Sequence, residues 1–284
     1  MGSLWMLAAG LLFACMGVLV KSGTSHFSSS ELVFYRSFFG LLIVYAMLRR
    51  SQLSLSTQHW RSHLWRGLSG TVAMMLFFYC ISVLPLATAI TLNYTSSLFL
   101  SALTVLVLKE KFHLPLSIAL AFGFIGVTLL LHPTLAHDQL LPGLLGLLSG
   151  LLAGVALLNV RQLGVLGEPG MRVVFYFNLI ATLASGMWML QDTLHPVSFG
   201  DLPLLVAIGA SATFAQLAMT RAYRTGQTLV VGSLAYSTIV FSALFGLLFW
   251  HELLSLSAWL GIALIIASGM LSLHLAPIHT EASK

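Results

Sequence analysis

The chain has 284 residues, of which 58% are hydrophobic and only 7% charged. A soluble domain carries roughly 25% charged residues, so this chain has too little charge to cover a soluble surface, and its apolar content excludes a disordered one. The net charge of +5 would fit nucleic acid only if the basic residues formed a patch, and two cysteines, Cys15 and Cys80, exclude a disulfide framework.

Ten apolar stretches approach the ~20 residues that a helix needs to cross a bilayer core. They are Leu4–Val20, Glu31–Leu48, Leu64–Leu84, Ala87–Leu108, Leu114–His132, Leu140–Arg161, Arg172–Leu190, Leu202–Tyr223, Thr228–Trp250 and Ser255–Ala276. The runs are too long for strands and do not alternate apolar with polar. The first has no basic region before it and no small-residue cleavage site after it, so it reads as a retained helix. Met6 stands where a myristoylation signal wants Ser or Thr. Ahead of the second span, Ser28-Ser29-Ser30-Glu31 matches a capping box. Arg36 is the clear charge inside a span, roughly 7–8 Å from its end at 1.5 Å per residue. It could neutralise a substrate carboxylate, snorkel to headgroups or pair with Glu31. Little more than Pro85-Leu86 separates spans three and four, and His251–Leu254 separate nine and ten, so these neighbours run antiparallel. Span four carries Asn93, Tyr94, Thr95, Ser96 and Ser97, the densest polar group within a span. Span six carries Gly146, Gly150 and Gly154 at four-residue spacing, and Gly10 and Ala14 repeat that spacing in span one. Such stripes serve close packing within a chain or pairing of two copies.

With a cytoplasmic N-terminus, the cytoplasmic loops and tail hold Arg49, Arg50, Arg61, Arg66, Lys109, Lys111, Arg161, Arg172, Arg221, Arg224 and Lys284, and the external loops only Lys21. Positive charge gathers on the cytoplasmic side of membrane proteins. The +5 charge is therefore read as topology and headgroup contact, with no nucleic acid and both termini cytoplasmic.

The halves repeat one another. Leu11, Leu12, Val20 and Lys21 recur as Leu151, Leu152, Val160 and Arg161; Val33-Phe34-Tyr35 recurs as Val174-Phe175-Tyr176. Tyr94, Glu110 and His132 recur as Tyr236, Glu252 and His274. Five spans per half is odd, so the second half enters the membrane from the opposite face. The expected fold is an all-α membrane protein of ten transmembrane helices, built as two inverted five-helix repeats over 1–135 and 136–284. Inverted repeats characterise secondary transporters, whose site lies near the midplane between repeats.

The stretch Leu84-Pro85-Leu86-Ala87-Thr88-Ala89-Ile90-Thr91-Leu92-Asn93-Tyr94-Thr95-Ser96-Ser97-Leu98-Phe99, running on to Leu108-Lys109-Glu110, resembles the fourth helix of EamA-domain proteins of the drug/metabolite transporter superfamily. Thr228 to Glu252 is a looser second copy, and Arg36 fits the family habit. Cys15-Met16-Gly17 departs from it, where family first helices often carry Trp-Gly. The resemblance implies a ten-helix bundle in the inner (plasma) membrane that exports small metabolites such as amino acids or related amphipathic compounds. Its alternatives are import or exchange of a nucleotide-like metabolite or vitamin, or an intramembrane protein that transports nothing. No cofactor is expected; the partners are a small-molecule substrate and membrane lipids, with a homodimer as one use of the glycine stripe.

Polar side chains at mid-depth are costly unless paired or hydrated. The expected substrate-binding set is Asn93, Tyr94 and Ser97, their counterparts Tyr236 and Ser237, and Tyr79, Gln216 and Arg36. Tyr176 and Asn178 are weaker candidates, since an aromatic in a bundle is usually packing, and Glu110 and Glu252 read as boundary or gating residues. All eight acids fall at span ends or in loops, which favours a facilitator or exchanger. An enzyme is not expected: Gly67-Leu68-Ser69-Gly70 lacks a mid-membrane histidine to activate Ser69, and His251-Glu252-Leu253-Leu254-Ser255 has Ser where a zinc motif needs its second His.

Overall fold

A computed structural model describes residues 2–96, 98–100, 103, 118, 121–123, 125–126, 129, 139–191, 194–225 and 234–275. All regular structure among them is helical. The helices are α1 (Gly2–Gly23), α2 (Ser29–Arg50), α3 (Trp60–Val83), α4 (Leu86–Tyr94), α5 (Leu140–Val165), α6 (Gly170–Met189), α7 (Leu202–Thr225), α8 (Ser237–Trp250) and α9 (Leu256–Leu275). Seven match spans one, two, three, six, seven, eight and ten. Of the fifth span, Gly126 lies against α9, where an added Cβ would stand 2.8 Å from the Gly261 carbonyl oxygen. Glu110 and His132 lie outside the described residues.

Six of these helices, α1, α2, α3, α5, α6 and the Leu202–Met219 part of α7, are long and apolar enough to cross a membrane. Their outer faces are apolar in mid-helix, with Leu42, Val72, Leu148, Leu183 and Phe214 exposed. Ser37, Ser149, Ser185, Thr213 and Ser242 are buried. Apolar outside and hydroxyl inside suits a lipid surround, where packing and hydrogen bonds between helices replace the hydrophobic effect. Thr213, Ser185 and Ser242 return their hydroxyls to carbonyls one turn back, which satisfies them locally.

The main packing pairs are α3 with α5, α1 with α7 and α2 with α6, followed by α2 with α7, α3 with α6, α1 with α8, α4 with α5 and α4 with α8. Exchanging α1–α4 for α5–α8 maps this set onto itself. Single contacts follow the exchange too: a Cβ at Gly10 would meet Ser237 and Thr238, and one at Gly150 would meet Thr95 and Ser96.

The bundle has two ends. At one, Glu31 closes the capping box expected from sequence, accepting from the Ser28 N–H at 2.7 Å while its own N–H donates to Ser28 Oγ at 3.3 Å. The same carboxylate takes the His195 N–H and ring Nδ1, both at 2.8 Å. At this end Glu252 meets Lys21.

At the opposite end Glu168 gathers the loops. It accepts from Thr57 Oγ1 at 2.5 Å and Arg172 Nη1 at 2.9 Å, and His63 stands 3.7 Å away. Arg172 Nε also donates to the Ser54 carbonyl, and Tyr176 OH to the Leu55 carbonyl. Burial works to raise the Glu168 carboxyl, but bonds from Thr57 and Arg172 and the charges of Arg172 and His63 outweigh it and hold the group below the usual carboxylate range. A depressed folded value stabilises the fold above the unfolded pKa and ceases to do so as pH falls through the folded one. Glu168→Gln is therefore expected to cost about 2 kcal/mol at pH 7, the scale of charge-assisted bonds. The melting-temperature gap to wild type should narrow as pH drops below about 4. A gap independent of pH would refute the ionic reading.

Candidate functional site

Helices α4 and α8 pack together, and each is interrupted beside its repeat tyrosine. Helix α4 stops at Tyr94, the chain turns at Thr95, and helix resumes at Ser96. Leu234 and Ala235 are helical, Tyr236 turns, and α8 runs on from Ser237. Local bonds tighten both breaks. Thr95 Oγ1 donates to the Leu92 carbonyl at 2.5 Å, and Thr238 Oγ1 to the Ala235 carbonyl at 3.0 Å. Hydroxyls bonding back into their own helix in this way bend it.

The breaks bring the expected tyrosines together. The Tyr94 and Tyr236 rings lie 6.1 Å apart, tilted by 53°, within the range of attractive aromatic pairs. Tyr94 OH meets Thr238 Oγ1 at 2.8 Å, so α4 and α8 are linked by hydrogen bond as well as by ring contact. Tyr236 is 3% exposed. Asn93 turns to α5 and donates to Ser149 Oγ at 2.9 Å. Ser237 lies beside the pair against Gly10, where a Cβ would stand 2.7 Å from its hydroxyl. Ser97 lies outside the described residues. Tyr79, on α3, is half-buried against the main core, and Gln216 is half-buried on α7. A cleft between the loops at Thr24–Ser28 and His195–Asp201 touches none of these residues.

Arg36 does not do what two of its sequence readings expect. It does not pair with Glu31, whose carboxylate is taken by Ser28 and His195. It does not snorkel, being 5% exposed. Its Nη1 reaches Asn178 Oδ1 at 3.5 Å, and its guanidinium lies 5.4 Å from the centre of the Phe177 ring. The sequence counts Arg66 with the cytoplasmic loops, although it falls at the very start of the span read as Leu64–Leu84. The helix begins at Trp60, and Arg66 turns inward onto the same Phe177 ring at 4.1 Å. Asn178, left outside the expected set, is 2% exposed between these groups. It follows Phe177, the counterpart of Arg36 in the register that sets Val33–Tyr35 on Val174–Tyr176.

The glycine stripe of α5 is used inside the chain. Cβ atoms at Gly146, Gly150 and Gly154 would run into Leu92, Thr95, Ser96 and Phe99 of the fourth span. Glu252, expected as a boundary or gating residue, pairs with Lys21. No group of three or more metal-binding side chains occurs among the described residues.

The model of the EamA-like transporter family matches residues 1–132 and 141–273. The chain is 32% identical to the pseudopaline exporter CntI of Pseudomonas aeruginosa over 270 residues, 95% of this chain and 92% of that protein. It is 28% identical to a riboflavin transporter of Vibrio cholerae over 94% of this chain and 91% of that protein. With an S-adenosylmethionine uptake transporter of Rickettsia prowazekii it shares 23% over 96% and 92%. A protein crystal structure superposes with a TM-score of 0.69 at 20% identity, covering 98% of each chain, and so shares the fold.

Proposed function

This chain belongs to the EamA-like transporter family, and we propose that it is a secondary transporter exporting small metabolites such as amino acids or related amphipathic compounds. Ten helices form two inverted five-helix repeats, 1–135 and 136–284, in the inner (plasma) membrane. They rock about a midplane site formed by Asn93, Tyr94, Ser97, Tyr236 and Ser237, with Tyr79, Gln216 and Arg36 around it. The observation that carries this reading is the pair of interruptions at Thr95 and Tyr236, beside the tyrosines Tyr94 and Tyr236, whose rings meet. Broken helices at corresponding positions of two halves are where such carriers hold their substrate. Packing that survives exchange of the halves supports the repeat, as do the two family matches.

Cytoplasmic termini are supported by Arg49, Arg50, Arg61 and Arg172 gathering at the Glu168 end while Lys21 sits at the other. Similarity to an exporter at 32% identity supports outward transport. Relatives named for riboflavin and for S-adenosylmethionine uptake support a second reading, import or exchange of a vitamin or nucleotide-like metabolite. The described carboxylates all serve loops or helix ends, which supports facilitated or exchange transport.

Full-length protein in proteoliposomes should show saturable counterflow of amino acids without a pH gradient. Asn93→Ala and Tyr94→Phe should each lower the flux about tenfold, the loss of some 1.4 kcal/mol of interaction. Each should shift the melting temperature by only about 2 °C, because a hydrogen bond between membrane helices contributes ~0.6 kcal/mol. Wild-type flux in both variants would overturn the site. Absence of counterflow in the wild type would overturn the carrier.

A further inference from the structure

A second polar cluster lies where α2, α3 and α6 pack. Arg36 and Arg66 place two guanidinium groups on one ring, Phe177. Neighbouring glycines make room for the polar heads. A Cβ at Gly70 would stand 2.9 Å from the Phe177 ring and inside the Arg66 head; one at Gly40 would stand 3.1 Å from Asn178 Nδ2. Arg36, Ser37 and Asn178 are 5%, 0% and 2% exposed.

The cluster is rich in hydrogen-bond donors and poor in negative charge. Arg36 Nε, Arg66 Nε, Asn178 Nδ2 and Ser37 Oγ have no hydrogen-bond partner among the described residues. The single described bond within the cluster, Arg36 to Asn178 at 3.5 Å, is at the far limit of a hydrogen bond. The described carboxylates are engaged elsewhere: Glu31 with His195, Glu168 with Arg172, Asp201 with Ser198 and Glu252 with Lys21. A ring face attracts cations, but it supplies neither a countercharge nor acceptors for N–H groups. Buried cations are tolerated when an anion completes them. Guanidinium forks match the two oxygens of a carboxylate.

We propose that Arg36, Arg66 and Asn178, with Ser37 beside them, form an oxyanion site on α2, α3 and α6 that takes the carboxylate of the transported solute. This deepens the carrier reading and rests on it. The same donors would accept an inorganic oxyanion, so the test separates the two sources.

The full-length protein is purified in a buffer whose only anion is a bulky sulfonate. Its melting temperature is then followed with added acetate, a mixture of amino acids, or inorganic phosphate. A ligand at about 100 times its dissociation constant should raise the wild-type value by roughly 5 °C. The expected result is a rise with acetate and amino acids but not with phosphate, lost in Arg36→Met and Arg66→Met. Asn178→Asp guards against variants that fail to fold, since it places an internal carboxylate beside Arg36. It should melt higher than wild type without added anion and ignore acetate. An equal response to phosphate would assign the site to an inorganic anion and overturn the solute carboxylate. A flat wild-type response, or variants responding like wild type, would overturn the site. Flux is read separately: a wild type that binds acetate but moves no amino acid refutes the carrier and leaves the oxyanion site standing.

Discussion

Replacing Glu252 with Gln is expected to open the bundle at the end that Glu252 closes and to stall transport. Two helices, α1 and α4, reach this side chain. Lys21, from the end of α1, pairs with Oε1. The Leu86 N–H, at the start of α4, donates to Oε2 at 2.8 Å. Lys21 also donates to the Leu84 carbonyl at 3.0 Å, beside the Trp250 ring. Glu252 thus places a negative charge at the N-terminus of α4, where the helix dipole favours it. His251 makes this geometry: its backbone is left-handed, with φ 52°, and it folds the chain back so that Glu252 lies over Gly246, where a Cβ would stand 2.6 Å from Oε2.

Lys21 and Glu252 side chains are only 12% and 15% exposed. Removing one partner of a buried pair costs about 3 kcal/mol, because the other charge is left behind. If closure at this end depends on the pair, the closed-to-open ratio shifts by roughly two orders of magnitude. The readout is a thiol at Ser237→Cys, in a chain with Cys15 and Cys80 changed to Ala, labelled by an impermeant reagent from the Glu252 face. Labelling should speed up about a hundredfold in Glu252→Gln, flux should collapse, and Lys21→Met in the same chain should restore part of both. Unchanged labelling and flux would show that the pair is not a gate.

The counterparts of this pair are legible in the sequence, as Arg161 follows Lys21 by 140 positions and Glu110 precedes Glu252 by 142. Apolar runs and short connections were enough to read seven helices to within four residues, because span length is set by the bilayer and not by tertiary contacts. The tyrosine pair was legible as well, since Tyr94 and Tyr236 share a place in the two halves. Arg66 was not. Its neighbours Trp60, Arg61, Ser62 and His63 read as a polar loop, and charge alone cannot distinguish a loop arginine from one in the second helical turn. What turns it inward is Gly70 one turn on and Phe177 on another helix, a long-range match that periodicity does not carry. Asn178 was discounted for the same reason, because its value lies in what stands opposite. The two uses of the glycine stripe could not be separated by spacing, as both need a smooth helix face; packing against α4 within the chain identifies one.

That packing sets the largest expected stability effect. A Cβ at Gly150 would stand 2.6 Å from the Leu92 carbonyl oxygen and closer still to Thr95 Oγ1. A side chain could swing away, but a carbonyl in a hydrogen-bonded helix cannot, so α4 and α5 must separate. Gly150→Ala should therefore destabilise by about 1–3 kcal/mol, the range for overpacking, although Ala is the better helix former by about 1 kcal/mol. Gly150→Leu should cost more and abolish flux, since the same interface positions Asn93 on Ser149. At Gly154 the nearest atoms are Phe99 Cβ at 3.0 Å and the Ser96 oxygen at 3.1 Å, and the cost should be smaller. Gly164, on the same helix, has nothing within 4 Å, so Gly164→Ala should be neutral or slightly stabilising. Melting temperatures of the four variants should therefore fall in the order Gly164→Ala, Gly154→Ala, Gly150→Ala, Gly150→Leu. A stripe that paired two copies instead would give the opposite signature. Gly150→Ala would then change the oligomeric state measured by light scattering, with a melting temperature that depends on protein concentration. The close approach of Leu92 predicts that it does not.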